Sequence, residues 1–203
     1  MRLNHFAAAV AVAAVAAGGA QASGNLLVNG DFETGDFSGW TVTPPGGGGV
    51  SGGNSHVAAN GFVHNGVTYN AESGTYFAAL GANGSDATLS QTFADVPGGT
   101  YAVTFYLASD GETPNDFSVT GPGSLLLPTM SDIPASPYVP YSGYFTGTGS
   151  DTITFTSRDD PGYLSLDDVS VTFVPEPVSW ATMILGLGVA GVALRRRRAP
   201  AAA

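Results

Sequence analysis

The apolar residues of this chain are spaced in two different ways. Phe6 to Ala17 run on without a polar break, and Val178 to Leu194 form a second stretch of 17 residues without a charge. Between these runs the dominant period is two. Tyr101, Val103, Phe105 and Leu107 share one face of a strand, with Ala102, Thr104 and Tyr106 on the other. Ile153 and Phe155 alternate with Thr152, Thr154 and Thr156, and Leu89 and Phe93 alternate with Thr88, Ser90 and Thr92. No stretch of this middle region keeps a helical period. Turn signals such as Pro97-Gly98-Gly99 and Asp159-Asp160-Pro161-Gly162 punctuate it. Short alternating strands at this spacing predict an all-β fold, an antiparallel β-sandwich. Pro44 to Asn60 is rich in Gly and Ser and reads as a surface loop or ragged edge. Leu125 to Tyr141 carries four prolines and reads as loop with an edge strand.

One slip in the alternation is informative. Leu164 and Leu166 point inward at even positions, then Val169, Val171 and Phe173 do so at odd ones. A change of parity across Asp167-Asp168 predicts a β-bulge there, which re-aims side chains, in this case carboxylates.

The two unbroken runs follow a different logic. Met1-Arg2, the run to Ala17, the helix-breaking Gly18-Gly19 and then Ala20-Gln21-Ala22 make up a signal peptide. The small residues Ala20 and Ala22 place cleavage after Ala22. At the other end, 17 residues span about 25 Å as a helix, the short limit for crossing a bilayer core. Arg195, Arg196, Arg197 and Arg198 would hold that end on the cytoplasmic side. Pro175 and Pro177 cannot sit inside the helix and bias their neighbours toward extended geometry. The Arg block and the prolines argue against a buried helix of a soluble domain. The expected organisation is a signal peptide over 1–22, an exported β-sandwich over 23–174 and a C-terminal segment over 175–203. The sandwich would thus be flanked by an N-terminal signal helix and a single C-terminal transmembrane helix at about 178–194.

Pro175-Glu176-Pro177, the Gly/Ala/Leu-rich run and Arg195 to Arg198, in that order, resemble the PEP-CTERM sorting signal of Gram-negative bacteria. The resemblance covers about the last 30 residues. It implies recognition at the inner membrane by an exosortase, cutting near the triplet, and delivery to the cell surface or outside the cell.

Charge narrows the partners. The exported region has no Lys and keeps Arg158 as its single basic residue against 15 acids, a formal charge of −14. Nucleic acid is excluded as a partner, because a polyanion needs a basic surface. Acidic surfaces solubilise, and they also bind hard cations through carboxylates. There is no Cys, so no disulfide stabilises the exported region and a bound metal is a natural substitute.

Asn25-Leu-Leu-Val-Asn-Gly-Asp-Phe-Glu33 followed by Gly39-Trp40 opens the region. Glu72-Ser-Gly-Thr-Tyr-Phe-Ala-Ala-Leu80 lies near its middle, and Tyr163-Leu-Ser-Leu-Asp-Asp-Val-Ser-Val171 closes it. Together these resemble the jelly-roll sandwiches related to galactose-binding domains and carbohydrate-binding modules of secreted glycoside hydrolases. That resemblance implies a structural calcium ion joining the first and last strands. Carried over, Glu33, Glu72 and Asp167 would give carboxylates, and Asp31 and Thr75 backbone carbonyls, a donor mixture that suits calcium. The plain alternative is that these acids cap turns and strand ends.

Catalytic signals are thin. Cysteine chemistry is impossible, no Gly-x-Ser-x-Gly elbow is present, and His56 and His64 lie in Gly/Asn-rich sequence. Gly46 to Gly49 precede no helix and read as linker rather than a phosphate loop. The chain is not expected to be an enzyme. For sugar contact the candidates are Tyr138, Tyr141 and Tyr144, at intervals of three, with Tyr69 in a polar loop; Trp40 is expected in the core. The Thr152 to Thr156 ladder is too short for an ice-binding face. The expected function is a structural or adhesive surface protein of an exopolysaccharide-rich envelope. The alternatives are a stand-alone carbohydrate-binding module, favoured if glycans bind, and a secreted hydrolase with an unrecognised site.

Overall fold

A computed structural model describes residues 24–44, 55–175 and 184–188. The expected signal peptide with Ala20 and Ala22, the motif residues Glu176 and Pro177, and Arg195 to Arg198 lie outside the described residues, as does most of the expected transmembrane helix. Residues 184–188 are helical. No helix among the described residues is long and apolar enough to cross a membrane. By contacts the chain divides into two units, Ser23–Glu176 and the two terminal segments together. The first unit is all-β.

Among the described residues it has ten strands, β1 Thr41–Thr43, β2 His56–Ala59, β3 Phe62–His64, β4 Val67–Tyr69 and β5 Tyr76–Ala94, then β6 Thr100–Ser109, β7 Asn115–Gly121, β8 Ser124–Ser131, β9 Ser136–Thr146 and β10 Ser150–Phe173. All described pairings are antiparallel. Two strands are far longer than the rest, and they organise the fold. The first half of β10 pairs with the second half of β5 and with β7, whose other neighbour is β8, while β1 flanks β5. The second half of β10 pairs with the first half of β5 and with β6, whose other neighbour is β9, while β2 flanks β5. This gives two five-stranded layers, β1-β5-β10-β7-β8 and β2-β5-β10-β6-β9, sharing two strands that cross from one to the other.

The core lies between these layers because the alternation demands it. Leu89, Phe93, Ile153, Phe155, Phe117 and Val119 face it from the first layer. Tyr101, Val103, Phe105, Leu107, Phe145, Leu164 and Leu166 face it from the second. Phe105 meets Phe155 at 5.3 Å and Phe117 at 5.7 Å between ring centroids, so the layers interdigitate. Trp40 is buried here, its Nε1 donating to the Asn29 carbonyl at 2.9 Å. The bulge falls where the parity changes: the β10–β6 register shifts between Asp167 and Ser170, with Asp168 at φ 49°.

Three stretches depart from expectation. Within the 44–60 stretch, His56–Ala59 forms β2, too short for its alternation to stand out. Asp159 to Gly162 is no turn between strands. It is a detour inside β10, where the register against β5 jumps between Asp159 and Leu164 as the strand changes layers. The proline-rich 125–141 stretch holds β8 and the start of β9. Each pairs on one side only, which is where proline, lacking a donor, is tolerated.

A second, smaller core covers the outer face of the second layer. The β3–β4 hairpin lays Phe62 and Tyr69 over Phe77, Ala79 and Tyr163. Tyr69, expected in a polar loop, is 6% exposed.

Candidate functional site

The five residues expected to hold calcium come together around one turn, residues 72–76. The opening segment lies along the end of β10: Leu26 N–H donates to Val171 O and Val169 N–H to Gly30 O, each at 2.9 Å. That brings Glu33 to the turn. Its Oε1 accepts the N–H groups of Thr75 and Tyr76, both at 2.8 Å. Gly74 sits at φ 65°, a conformation that favours glycine, and a Cβ there would push the Glu33 carboxylate from its place. From the other side, Asp167 Oδ2 accepts Glu72 N–H at 2.8 Å and Ser73 N–H at 3.4 Å, while its Oδ1 accepts Asp168 N–H at 2.8 Å. Glu33 and Asp167 therefore clamp the two ends of the turn.

The electrostatics differ across the cluster. Asp167 is fully buried, and burial pushes its carboxyl up to about 7 despite the N–H donors. Glu72 is exposed and turned toward Asp168; desolvation, then a hydrogen bond and charge from Asp168, raise it. Asp31 is exposed, its Oδ1 accepting Glu33 N–H at 3.4 Å. Among the described residues no group of three or more acidic or histidine side chains is arranged to hold a metal ion. Of the carboxylates in the cluster Asp167 is buried and Glu33 exposed, each already accepting main-chain N–H groups, and the Thr75 carbonyl accepts Asn60 N–H at 2.9 Å.

The three candidate tyrosines do not share a face. Residues paired across neighbouring strands point the same way. Tyr141 pairs with Phe105 and stacks on it at 5.5 Å and 14°, so it belongs to the core side. Tyr144 pairs with Ala102 on the outer side and is 64% exposed. Tyr138 is half-buried, and its hydroxyl donates to the Asn70 carbonyl at 2.9 Å, which ties β9 to the segment leading into the 72–76 turn. Burial, then the charge of Asp167, raises the Tyr138 phenol.

The outer face of the second layer carries successive rows. Thr172, Ala102 and Tyr144 form one, Ser170, Thr104 and Ser142 the next, and Asp167, Tyr106 and Pro140 a third. Ser170 and Thr104 hydroxyls are 2.7 Å apart. Ser170 also lines an open groove of about 450 Å³ with Asn25, Asn29, Asp31 and Asp168. A face of hydroxyls, amides and carboxylates with aromatic rings at its margin can hydrogen-bond and stack against a hydroxylated ligand. The asparagines, Ser170 and Tyr106 were not singled out for this role in the sequence, although Tyr106 has outer-face parity.

Comparison with known proteins defines a class at this point. The fold matches carbohydrate-binding-module jelly rolls among solved structures. TmCBM61, solved in complex with β-1,4-galactotriose, matches at TM-score 0.53 and 21% identity, over 75% of this chain and 100% of that one. The CBM22-1 xylan-binding domain from Paenibacillus barcinonensis Xyn10C matches at 0.51 and 18%, over 77% and 99%. A Stig cyclase, Fisc, from Fischerella sp. TAU matches at 0.53 and 17%, over 74% and 97%. At these identities the likeness is one of fold. No curated protein matches the chain. Residues 173–198 match the PEP-CTERM protein-sorting motif. The chain is thus an exported protein that carries a PEP-CTERM sorting motif behind a jelly-roll β-sandwich. Pro175, the one described residue of the triplet, is exposed directly after Val174, whose N–H donates to Thr100 O at 2.8 Å.

Proposed function

We propose that this protein is sorted by an exosortase to the cell surface or extracellular matrix, where its sandwich binds polysaccharide and serves adhesion. The observation that carries the reading is the outer β10-β6-β9 face, with Tyr144 exposed beside hydroxyl rows and an open polar groove. The fold it shares with a galactotriose-bound module and a xylan-binding domain supports the same ligand class. The −14 charge favours neutral glycans over polyanionic ones. The exposed Pro175 after the last strand supports cleavage of the sorting segment outside the folded sandwich.

Affinity electrophoresis of the 23–174 domain in gels containing galactan, xylan or the host exopolysaccharide tests this. Retardation in at least one is expected. Tyr144→Ala should abolish most of it, a loss of about tenfold in affinity, since ring stacking on the ligand is removed. Tyr141→Ala should lower stability instead, because that ring packs on Phe105. No retardation in any neutral glycan would overturn the reading.

We also propose calcium at the 72–76 turn, held by the Glu33 and Asp167 carboxylates with the Asp31 and Thr75 carbonyls, next to the Glu72–Asp168 pair. An ion there would neutralise the buried Asp167 and tie the opening segment to β10. Excess chelator is expected to lower the melting temperature by several degrees, about 1–2 kcal/mol at this chain length. An unchanged melting curve would count against the ion.

A further inference from the structure

Asp159 stands where β10 crosses between layers, and nothing in the proposed function uses it. Counting inward by twos from Ile153 and Phe155 reaches Ser157 and then Asp159, so the strand itself aims this carboxylate inward. It is 0% exposed; the Gly162 N–H and the Asp110 carboxyl are its polar neighbours, and neither oxygen makes a hydrogen bond of good geometry to a donor. Its cross-strand neighbour Asn115 spends its side-chain N–H groups on the Glu112 and Ile133 carbonyls, at 2.7 and 3.0 Å. Arg158, the lone cation of the domain, turns to Asp160 at 3.4 Å.

What faces Asp159 is more negative charge. Asp110, just beyond β6, is fixed as an acceptor. Its Oδ2 takes the Tyr69 hydroxyl at 2.6 Å and Tyr163 N–H at 3.0 Å, and its Oδ1 takes Glu112 N–H at 2.9 Å. Glu112 adds a further carboxylate with one buried oxygen lacking a partner. On the hairpin side stand Tyr69 and His64, whose Nε2 is 3.0 Å from Pro161 O. On β10 stand Arg158, Asp160 and Tyr163, and on β7 Asp116, paired with Arg158. The packing is tight: a Cβ on Gly162 would strike Asp110 Oδ2. A calcium ion needs 6–8 oxygens around it, whereas a proton needs no room.

We propose that Asp159 is carried into the fold as a neutral carboxylic acid that shares its proton with Asp110, making the β10 crossover a pH-sensitive lock. Burial, then the charges of Asp110 and Glu112, push its carboxyl up to about 8. The unfolded chain releases that proton near the ordinary value of 3.8. The folded state thus binds it more tightly, and the stability it contributes is complete below pH 4 and is lost as pH rises through 8. Above that, an ionised Asp159 faces Asp110 and Glu112 and loosens the crossover. The β3–β4 hairpin, held through Tyr69–Asp110 and His64–Pro161, loosens with it.

Melting curves from pH 5 to 9 on the wild type and on Asp159→Asn test the lock. The wild type should lose at least about 4 °C across that range, and Asp159→Asn should flatten most of the loss. The carboxyl ¹³C resonance of Asp159 in the wild type should titrate near 8, a readout that holds even if the variant fails to fold. An equal slope in the variant, or titration near the ordinary aspartate value, would overturn the proposal. So would calcium at pH 9 restoring the melting temperature of the wild type but not of Asp159→Asn, since the group would then seat a cation.

Discussion

At the scale of single residues, inward-facing positions do different work depending on what fills them. Phe105 is the hub of the core, 2% exposed, with its ring against Phe117, Phe155 and Tyr141. Phe105→Ala should cost about 3–5 kcal/mol in urea unfolding, because the two layers cannot close the cavity without separating from their shared strands. Gln91 occupies the inward slot between Leu89 and Phe93, and its amide accepts Val28 N–H at 2.7 Å and donates to Val28 O at 3.0 Å. Gln91→Ala leaves both backbone groups unpaired and should cost about 1–3 kcal/mol by the same measurement. Period-two counting found Phe105 from the sequence because its neighbours in register are also apolar. It passed over Gln91 and Asp159, since an inward slot filled by a polar residue looks like an interruption until the partner strand is known. The equal spacing of Tyr138, Tyr141 and Tyr144 does not set them on one face, because an interval of three cannot keep one face of a strand.

At the scale of elements, β5 and β10 lie inside both layers, whereas β8 and β9 are edges and β3–β4 pair only with each other. Amide hydrogen exchange should therefore be slowest along residues 87–93 and 151–157, and faster by orders of magnitude in 62–69 and 124–131. Uniform protection across these segments would contradict the layer assignment. The long strands were legible only in pieces. Asp159 to Gly162 has the composition of a turn, and it does change the direction of the chain. Whether such a bend ends a strand or carries it into the next layer depends on pairing with β5, which is non-local. The bulge at Asp167-Asp168 was legible because its effect, a change of parity, is written in the apolar positions on either side. β2 left no such trace, since four residues beside a Gly-rich stretch hold barely two alternations.

At the scale of the whole molecule, the exported region carries 15 acids against one arginine, and several acids face one another. Besides Asp159 with Asp110 and Glu72 with Asp168, Asp95 is raised by burial and by a hydrogen bond with Asp151. Self-repulsion of this kind is screened by salt. Raising sodium chloride from about 10 to 500 mM should therefore raise the melting temperature at pH 8, and a fall would show that repulsion is not limiting. The charge and the C-terminal sorting motif were plain in the sequence, because both are matters of composition and order. Which acids meet was not, because each pair joins residues far apart in the chain.

The crossing of β10 from one layer to the other has a mechanical side. The sorting motif begins at the last residue of that strand, so if the domain is tethered there and holds a ligand, as proposed, tension between the two would enter the sandwich along β10. At its C-terminal end the strand is hydrogen-bonded to β6 on one flank and to the opening segment, through Leu26 and Gly30, on the other; β5 joins from Leu166 inward, and β7 pairs with residues 154–159. Load applied along it is shared in shear by many bonds at once, instead of unzipping them one by one. A domain tethered through an edge strand would peel; one tethered at the end of β10 would be pulled by its spine.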